Sequence, residues 1–533
     1  MFDILIRGGS VADGSRTPLF PADIGIERDR ITAVEPLPGA AAARIIDASG
    51  LVVAPGFIDI HTHSDLTLLA DGRGMSKVCQ GVTTEVCGNC GYSPFPIPAD
   101  RRPLLQGILS SIYGDAVEWT WTDLAGYRAR ATAQRIGINL APLVGHSAIR
   151  GSVVGFEDRA ADPDELHRMG RLLQETLEQG AFGFSTGLTL PPSAYGDTAE
   201  IVALARTLAG YPGRFYTSHI RAWAGYHVRG VEEAVDIGRA AGVPVQVSHM
   251  SINDPKHWGE AASVIEVCER AAASGADVTF DVYPYAASSS GFSQCFPTWA
   301  QSGGLDALAA RLRDPESRAR IRAAMLAEGL FRGWPWLWDR LRVSATHSPA
   351  TRPYEGLTIQ QTAAALAMDP VDAALFLMEA DDARLEVIFY YRTEEDMRAF
   401  LRHPLAMVGS DGLAIAPGGR LGAGKPHPRS YGAQARILGR YVREAHVLSL
   451  EEAVHKMSGK VADRLGLRDR GRVRRGQAAD LVVFDPATVV DRADFENPHQ
   501  YPAGIEFVLV NGRVAVERGE HTGAAAGRVL AAS

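Results

Sequence analysis

Between residues 51 and 412 the chain alternates short apolar runs with helical stretches, and this alternation restricts the fold more than any other feature. Eight runs stand out, at residues 57–63, 82–91, 138–146, 181–187, 214–219, 243–249, 276–283 and 405–412. Each is strand-length and rich in Val, Ile and Phe. Helical patterns such as 162–178, 231–240 and 261–273 separate several of them. Strands joined by helical crossovers read as parallel neighbours, and eight of them predict an α/β fold with a (β/α)8 TIM-type barrel.

In such a barrel, chemistry gathers at the C-terminal ends of the strands. Those ends carry His61 and His63 on strand one, Cys90 on two, His146 on three, His219 on five, His249 on six, Tyr283 on seven and Asp411 on eight. Side chains alternate along a strand, so His61 and His63 share a face with Asp59 below them. Two imidazoles at a strand end can bind one divalent ion and leave room for ligands from elsewhere. The Cys87-x-x-Cys90 pair reads as a redox pair, half a zinc knuckle, or one thiolate ligand beside a buried small residue. With no second C-x-x-C, and with Gly88 and Gly91 permitting close backbone approach, Cys90 as a single thiolate is preferred.

The flanks have another texture. Residues 1–54 alternate apolar pairs with Gly8-Gly9, Asp13-Gly14 and similar turns, and the region beyond 467 repeats this, with Asn511-Gly512 as a hairpin signal. Neither flank has apolar area for a core of its own, so the two are expected to combine into one small β-sandwich. The expected division is sandwich at 1–54, barrel at 55–466 and sandwich again at 467–533. The interval from 286 to 404 exceeds one βα unit and predicts an inserted subdomain at about 291–345, plus an extra strand near 385–391. Its Trp299, Trp334, Trp336 and Trp338 form either a pocket wall or the insertion's own core.

Charge narrows the possible partners. A net charge of −8, without any Lys/Arg block, gives no basis for binding nucleic acid or a membrane surface. Five cysteines, an odd number, do not make a disulfide framework. No signal peptide and no apolar run of about 18 residues is evident, so a cytoplasmic location is expected.

Gly56-Phe57-Ile58-Asp59-Ile60-His61-Thr62-His63, Gln80-Gly81-Val82-Thr83-Thr84, Gly88-Asn89-Cys90-Gly91 and Gly409-Ser410-Asp411-Gly412 together resemble the N-acyl-D-amino-acid deacylase (D-aminoacylase) family of the amidohydrolase superfamily. Pro426-His427-Pro428-Arg429-Ser430-Tyr431-Gly432 and residues 479–486 extend the resemblance over nearly the whole chain. It implies a tightly held zinc on Cys90, His219 and His249, a second, weaker position lined by His61 and His63, and Asp411 as the catalytic carboxylate. Strand four reads Phe184-Ser185-Thr186-Gly187, without the lysine that bridges two metals in many relatives, so Cys90 is the candidate anionic bridge.

A thiolate and two neutral imidazoles leave zinc one open position, where water ionises near neutral pH and attacks the scissile carbonyl. Asp411 then serves as general acid and base. The expected substrate is a small-molecule amide, foremost an N-acyl-D-amino acid. A D-residue dipeptide, a cyclic amide or an N-acyl amine is the alternative within enzymes, and an inactive barrel scaffold the alternative outside them. The family pattern has a His-Lys pair after strand six and a tyrosine after strand four; here Met250-Ser251 and Leu190 stand instead. Arg221 and Lys256 are therefore the candidate partners for a substrate carboxylate. Tyr283 and Tyr285 are either substrate donors or core, and His146 either supports the site or is packed. With those two polar groups missing, simple N-acetyl-D-amino acids are expected to be poor substrates.

Overall fold

The computed structural model describes residues 1–113 and 117–532. The architecture is α/β with mixed sheets. Its centre is a run of parallel strands: β1 (Phe57–Asp59), β2 (Val82–Cys87), β3 (Asn139–Pro142, resumed at Val144–Gly145), β4 (Gly183–Gly187), β5 (Phe215–His219), β6 (Val245–Val247), β7 (Val278–Val282) and β8 (Ala406–Val408). Nearly every residue in them is buried, as in parallel sheets covered on both faces.

Pairing follows chain order. Ile58 stands opposite Thr84, and Glu85 opposite Leu140. Phe184 faces Val144 on one side and Tyr216 on the other. Gln246 lies between Thr217 and Thr279, and Asp281 opposite Met407. Past the ends of β1 and β8, Thr62 and Gly412 form a parallel bridge, and Asp411 N donates to His61 O at 2.8 Å. The first and last strands thus meet at the residues singled out in the sequence.

The crossover helices follow from local signals. Pro163–Glu178 starts with a capping box between Asp162 and Glu165 and has Pro at its first position. His227–Ala241 ends at Gly242, whose φ of 72° suits a left-handed cap. It begins four residues before the expected 231, and no side chain caps its first turn, which leaves the true start without a local signal.

Between β7 and β8 the chain forms a separate antiparallel sheet in which Glu386–Phe389 lies between Ser288–Gly291 and Leu341–Ala345. The extra strand expected near 385–391 therefore pairs within the insertion. Helices Leu305–Arg313, Pro315–Glu328 and Pro370–Ala380 pack on one another beside it, so the inserted elements run from Ser288 to Phe389, wider than 291–345.

Both chain ends enter one nine-stranded sheet. Val52–Pro55 pairs antiparallel with Leu481–Phe484, where Leu481 faces Pro55. Asn511 and Gly512 turn the hairpin between Ile505–Val510 and Arg513–Glu517 with φ of 46° and 76°, the positive pair a two-residue hairpin requires. Among the described residues no helix is long and apolar enough to cross a membrane.

Candidate active site

Cys90 stands at the centre of the strand ends. Its Sγ lies 3.3 Å from His61 Nε2 and 3.4 Å from His249 Nε2. Two donor triads share it: His61, His63 and Cys90, and Cys90, His219 and His249, each with ligand atoms within 4.8 Å of one another. Zinc bonds of about 2.3 Å to sulfur and about 2.05 Å to nitrogen would hold S and N about 3.6 Å apart in a tetrahedron. The spacing fits. A thiolate with imidazoles is a donor set for a soft-to-borderline divalent ion.

The backbone is bent to achieve this. Cys90, His249 and Asp411 all have positive φ, at 53°, 36° and 51°, a costly region for residues other than glycine. Gly88 gives the turn its room, since a Cβ there would collide with the Leu143 carbonyl. Cys87, by contrast, is fully buried, and burial pushes its thiol well above the ordinary range.

The buried acids and bases of the cluster shift one another strongly. Burial alone would raise Cys90, but the neighbouring His61 and His249 and hydrogen bonds from His219 and His249 outweigh it and hold the thiol well below its usual range. Burial alone would lower His63, yet hydrogen bonds to Asp411 and Cys90 lift it to about 9. His61 is raised well above its ordinary value against the same burial effect, by Asp281 and Cys90.

Neighbouring groups steer most of the candidate donor residues. Asp281 Oδ1 lies 3.2 Å from His61 Nδ1 and accepts from the His249 amide at 2.8 Å, while Gln246 Nε2 donates to its other oxygen at 2.7 Å. Thr189 Oγ1 lies 2.5 Å from His219 Nε2. Asp411 Oδ1 is 3.0 Å from His63 Nε2 and 3.6 Å from His61 Nε2, and its Oδ2 accepts from Arg429 Nη1 at 2.7 Å. Arg429 is itself set by His427, whose Nδ1 accepts its amide at 3.0 Å. Beneath the cluster Lys77 is fully buried between Asp59 at 3.0 Å and Glu85 at 3.2 Å.

One pocket opens onto His63, Cys90, His219, His249 and Asp411. Its wall includes Trp223, Phe331, Trp334, Phe389 and Tyr391, and Met250 and Leu190 also line it. Of the four insertion tryptophans only Trp334 is on the wall; Trp336 and Trp338 stack on each other at 4.3 Å, and Trp299 lies under Arg320.

Several sequence candidates stand elsewhere. Arg221 is buried against Glu233 at 3.0 Å, donates to the Gly196 carbonyl at 2.7 Å and lies outside the pocket lining. Lys256 is exposed on the short 3-10 helix Pro255–His257, outside the lining. His146 is fully buried, with Ser193 Oγ at 2.7 Å on one ring nitrogen and Glu200 at 2.8 Å on the other. Tyr285 packs against His427 and Phe495, with Arg436 over its ring. Tyr283 alone of this group lines the pocket.

The pocket's arginines are Arg429 and Arg392. Among the described residues Arg392 has no carboxylate partner; its Nε donates to Asn253 Oδ1 at 2.8 Å and its guanidinium lies 4.5 Å over the Tyr283 ring. Arg392 follows an apolar strand run directly, a signal present in the sequence but attached to the insertion. Asp281 was also legible, since it shares a strand face with Tyr283 two residues on.

A family model described as the amidohydrolase family matches residues 44–516. The chain belongs to this family. It is 38% identical over 514 residues to the N-acyl-D-glutamate deacylase of Alcaligenes xylosoxydans xylosoxydans, covering 96% of this chain and 93% of that protein. It is 36% identical to the D-aminoacylase of the same organism, covering 99% of this chain and 98% of that protein. In three dimensions it resembles the N-acyl-D-glutamate deacylase of Bordetella bronchiseptica, solved with zinc and a phosphonate mimic of the tetrahedral intermediate. There the TM-score is 0.83, with 34% identity and full coverage of both chains.

Proposed function

We propose that this chain is a zinc-dependent deacylase of N-acyl-D-amino acids. The eight parallel strands would close into a (β/α)8 barrel, and the terminal sheet would form a β-sandwich around residues 1–54 and 467–533. The observation that carries the reading is the meeting of the two Cys90 triads with Asp411 on the floor of one pocket that also holds Arg392. Cys90, His219 and His249 would hold the tight zinc, and His61 and His63 with Cys90 a weaker second position. When bound, zinc supplies Lewis acidity that polarises the scissile carbonyl and acidifies water.

The chain's own residues do the rest. Arg392 receives the substrate α-carboxylate in place of Arg221 and Lys256, and the Tyr283 ring beneath Arg392 and Arg429 keeps both guanidinium groups in position. Asp411 takes a proton from the attacking water and returns it to the departing nitrogen, while Arg429 and His63 fix the carboxylate's direction. Asp281 orients the His61 ring. The wall of Trp223, Phe331, Trp334 and Phe389 favours an apolar or aromatic side chain over an acidic one. Because Arg392 supplies the missing cation, a free carboxylate is compatible with this pocket, which replaces the expectation built on Met250 and Leu190.

The test is hydrolysis of matched N-acetyl-D- and N-acetyl-L-amino acids by zinc-loaded protein. The expected result is turnover of the D-series, with phenylalanine, leucine and methionine ahead of glutamate in kcat/KM. Turnover confined to L-substrates, or none with any N-acyl-amino acid, overturns the reading.

A further inference from the structure

A third group of metal-type donors lies outside the Cys90 cluster. His227 opens the helix that follows β5, and His257 and Glu260 lie in the loop after β6, so two neighbouring strand-to-helix connections bring them together. Glu260 Oε2 is 3.1 Å from His227 Nε2 and also 3.1 Å from His257 Nδ1. The three donor atoms fall within 4.8 Å of one another, the same closeness as the two Cys90 triads. The two rings are 4.0 Å apart between centroids, against 4.6 Å for His219 and His249.

We propose that His227, His257 and Glu260 form a peripheral site for a borderline divalent cation such as zinc, cobalt or nickel, set at the mouth of the substrate pocket. Two imidazoles and one carboxylate are three of the four ligands of a tetrahedral zinc, with water for the fourth. Both rings crowd a single carboxylate oxygen, which a hydrogen-bonded surface pair does not need. The other nitrogen of His227 is buried without a hydrogen-bond partner among the described residues.

The surrounding loop is built rather than loose. Asp254 accepts from the Lys256 amide at 3.1 Å, and its carbonyl accepts from the His257 amide at 3.0 Å. Asp396 receives the amides of Gly259 and Ala261, and Trp258 Nε1 donates to the Tyr391 carbonyl at 3.2 Å. The side chain of Glu260 is 47% exposed and that of His257 29%, so an ion can enter from solvent. His227, Trp223 and Asp254 line the catalytic pocket, so an ion held here joins two of its walls and slows exchange of bulky substrates. Its effect is inhibitory and separate from metal bound at Cys90.

The test compares wild type with His257→Ala, Glu260→Gln and the double variant, none of which alters the proposed catalytic donors. Each is titrated with zinc alone, and bound metal is counted after equilibrium dialysis. Wild type is expected to bind one more zinc per chain than His257→Ala. Loss even of a group that merely orients a ligand costs about 10–100-fold in metal affinity, so loss of a ligand should shift half-inhibition by added zinc at least that far upward. Wild-type thermal melts and activity at low zinc confirm that the variants are folded. The same stoichiometry in all four proteins, or coincident zinc-inhibition curves, overturns the proposal. An additional equivalent of cobalt bound by wild type and missing from both single variants, seen as visible absorption beyond that of the Cys90 cluster, supports it independently of activity.

Discussion

The guanidinium of Arg429 sits 2.7 Å from one oxygen of Asp411, while His63 occupies the other at 3.0 Å. Burial alone would raise the Asp411 carboxyl, but the Arg429 charge and the His63 hydrogen bond keep it well below the usual carboxylate range. A proton carrier fixed on both sides can take a proton only when the charge around it changes. Asp411→Asn keeps the shape without the function, and a fall of ~10²–10⁴-fold in kcat is expected with unchanged zinc content. Arg429→Met leaves a buried carboxylate without its cation; destabilisation of about 3–5 kcal/mol follows, visible as a lower melting temperature. Near wild-type kcat in Asp411→Asn would remove it from the chemistry.

Because Cys90 belongs to both donor triads, its loss should empty both. Metal analysis of Cys90→Ala is expected to show zinc well below one per chain, whereas His63→Ala should retain the tight ion on Cys90, His219 and His249. Equal metal content in the two variants would contradict this division.

Arg392 is predicted to act on binding rather than turnover. Removing a charge-assisted hydrogen bond costs about 1.5–3 kcal/mol, so Arg392→Ala should raise KM for free-carboxylate substrates roughly ten- to a hundredfold. The corresponding amides should be indifferent to the substitution. The measurement is KM and kcat for each acid and amide pair.

Glu386 also lines the pocket, and burial pushes its carboxyl to about 8, with Arg429 drawing it down and Asp381 pushing it up. Below that pH the group is neutral. As pH rises through about 8 it ionises and adds negative charge to a pocket already carrying Asp254, Asp411, Arg392 and Arg429. KM for anionic substrates should therefore climb between pH 7 and 9.5, and Glu386→Gln should flatten the rise. A profile unchanged by the substitution would place the titration elsewhere.

The strand order and the clustering of His61, His63, Cys90, His219, His249 and Asp411 were legible because each ends an apolar run, a local signal. The charged groups of the pocket wall were not. Arg221 looked available two residues past His219, but the partners that bury it, Glu233 and the Gly196 carbonyl, come from other elements. Arg392 reaches the pocket only through the pairing of Glu386–Phe389 with Ser288–Gly291, a contact between distant segments that no local pattern reveals. His146 ends strand three as the ligands end theirs, yet Glu200, 54 residues away, claims it for a buried network.

The pairing of Val52–Pro55 with Leu481–Phe484 has a consequence in time. Only Gly56 separates Val52–Pro55 from β1, and its amide donates to the Asp480 carbonyl at 2.8 Å. During synthesis at about 5–20 residues per second, residues 61 and 63 leave the ribosome roughly 20–80 s before residue 484. Cys90, His219 and His249 are all present within the first half of that interval, while the strand partner of Val52–Pro55, which leads into β1, is still missing. The proposed tight metal position can therefore be completed on the growing chain before the proposed His61–His63 position is held in place, so metal supply during translation can govern the order in which the two are filled.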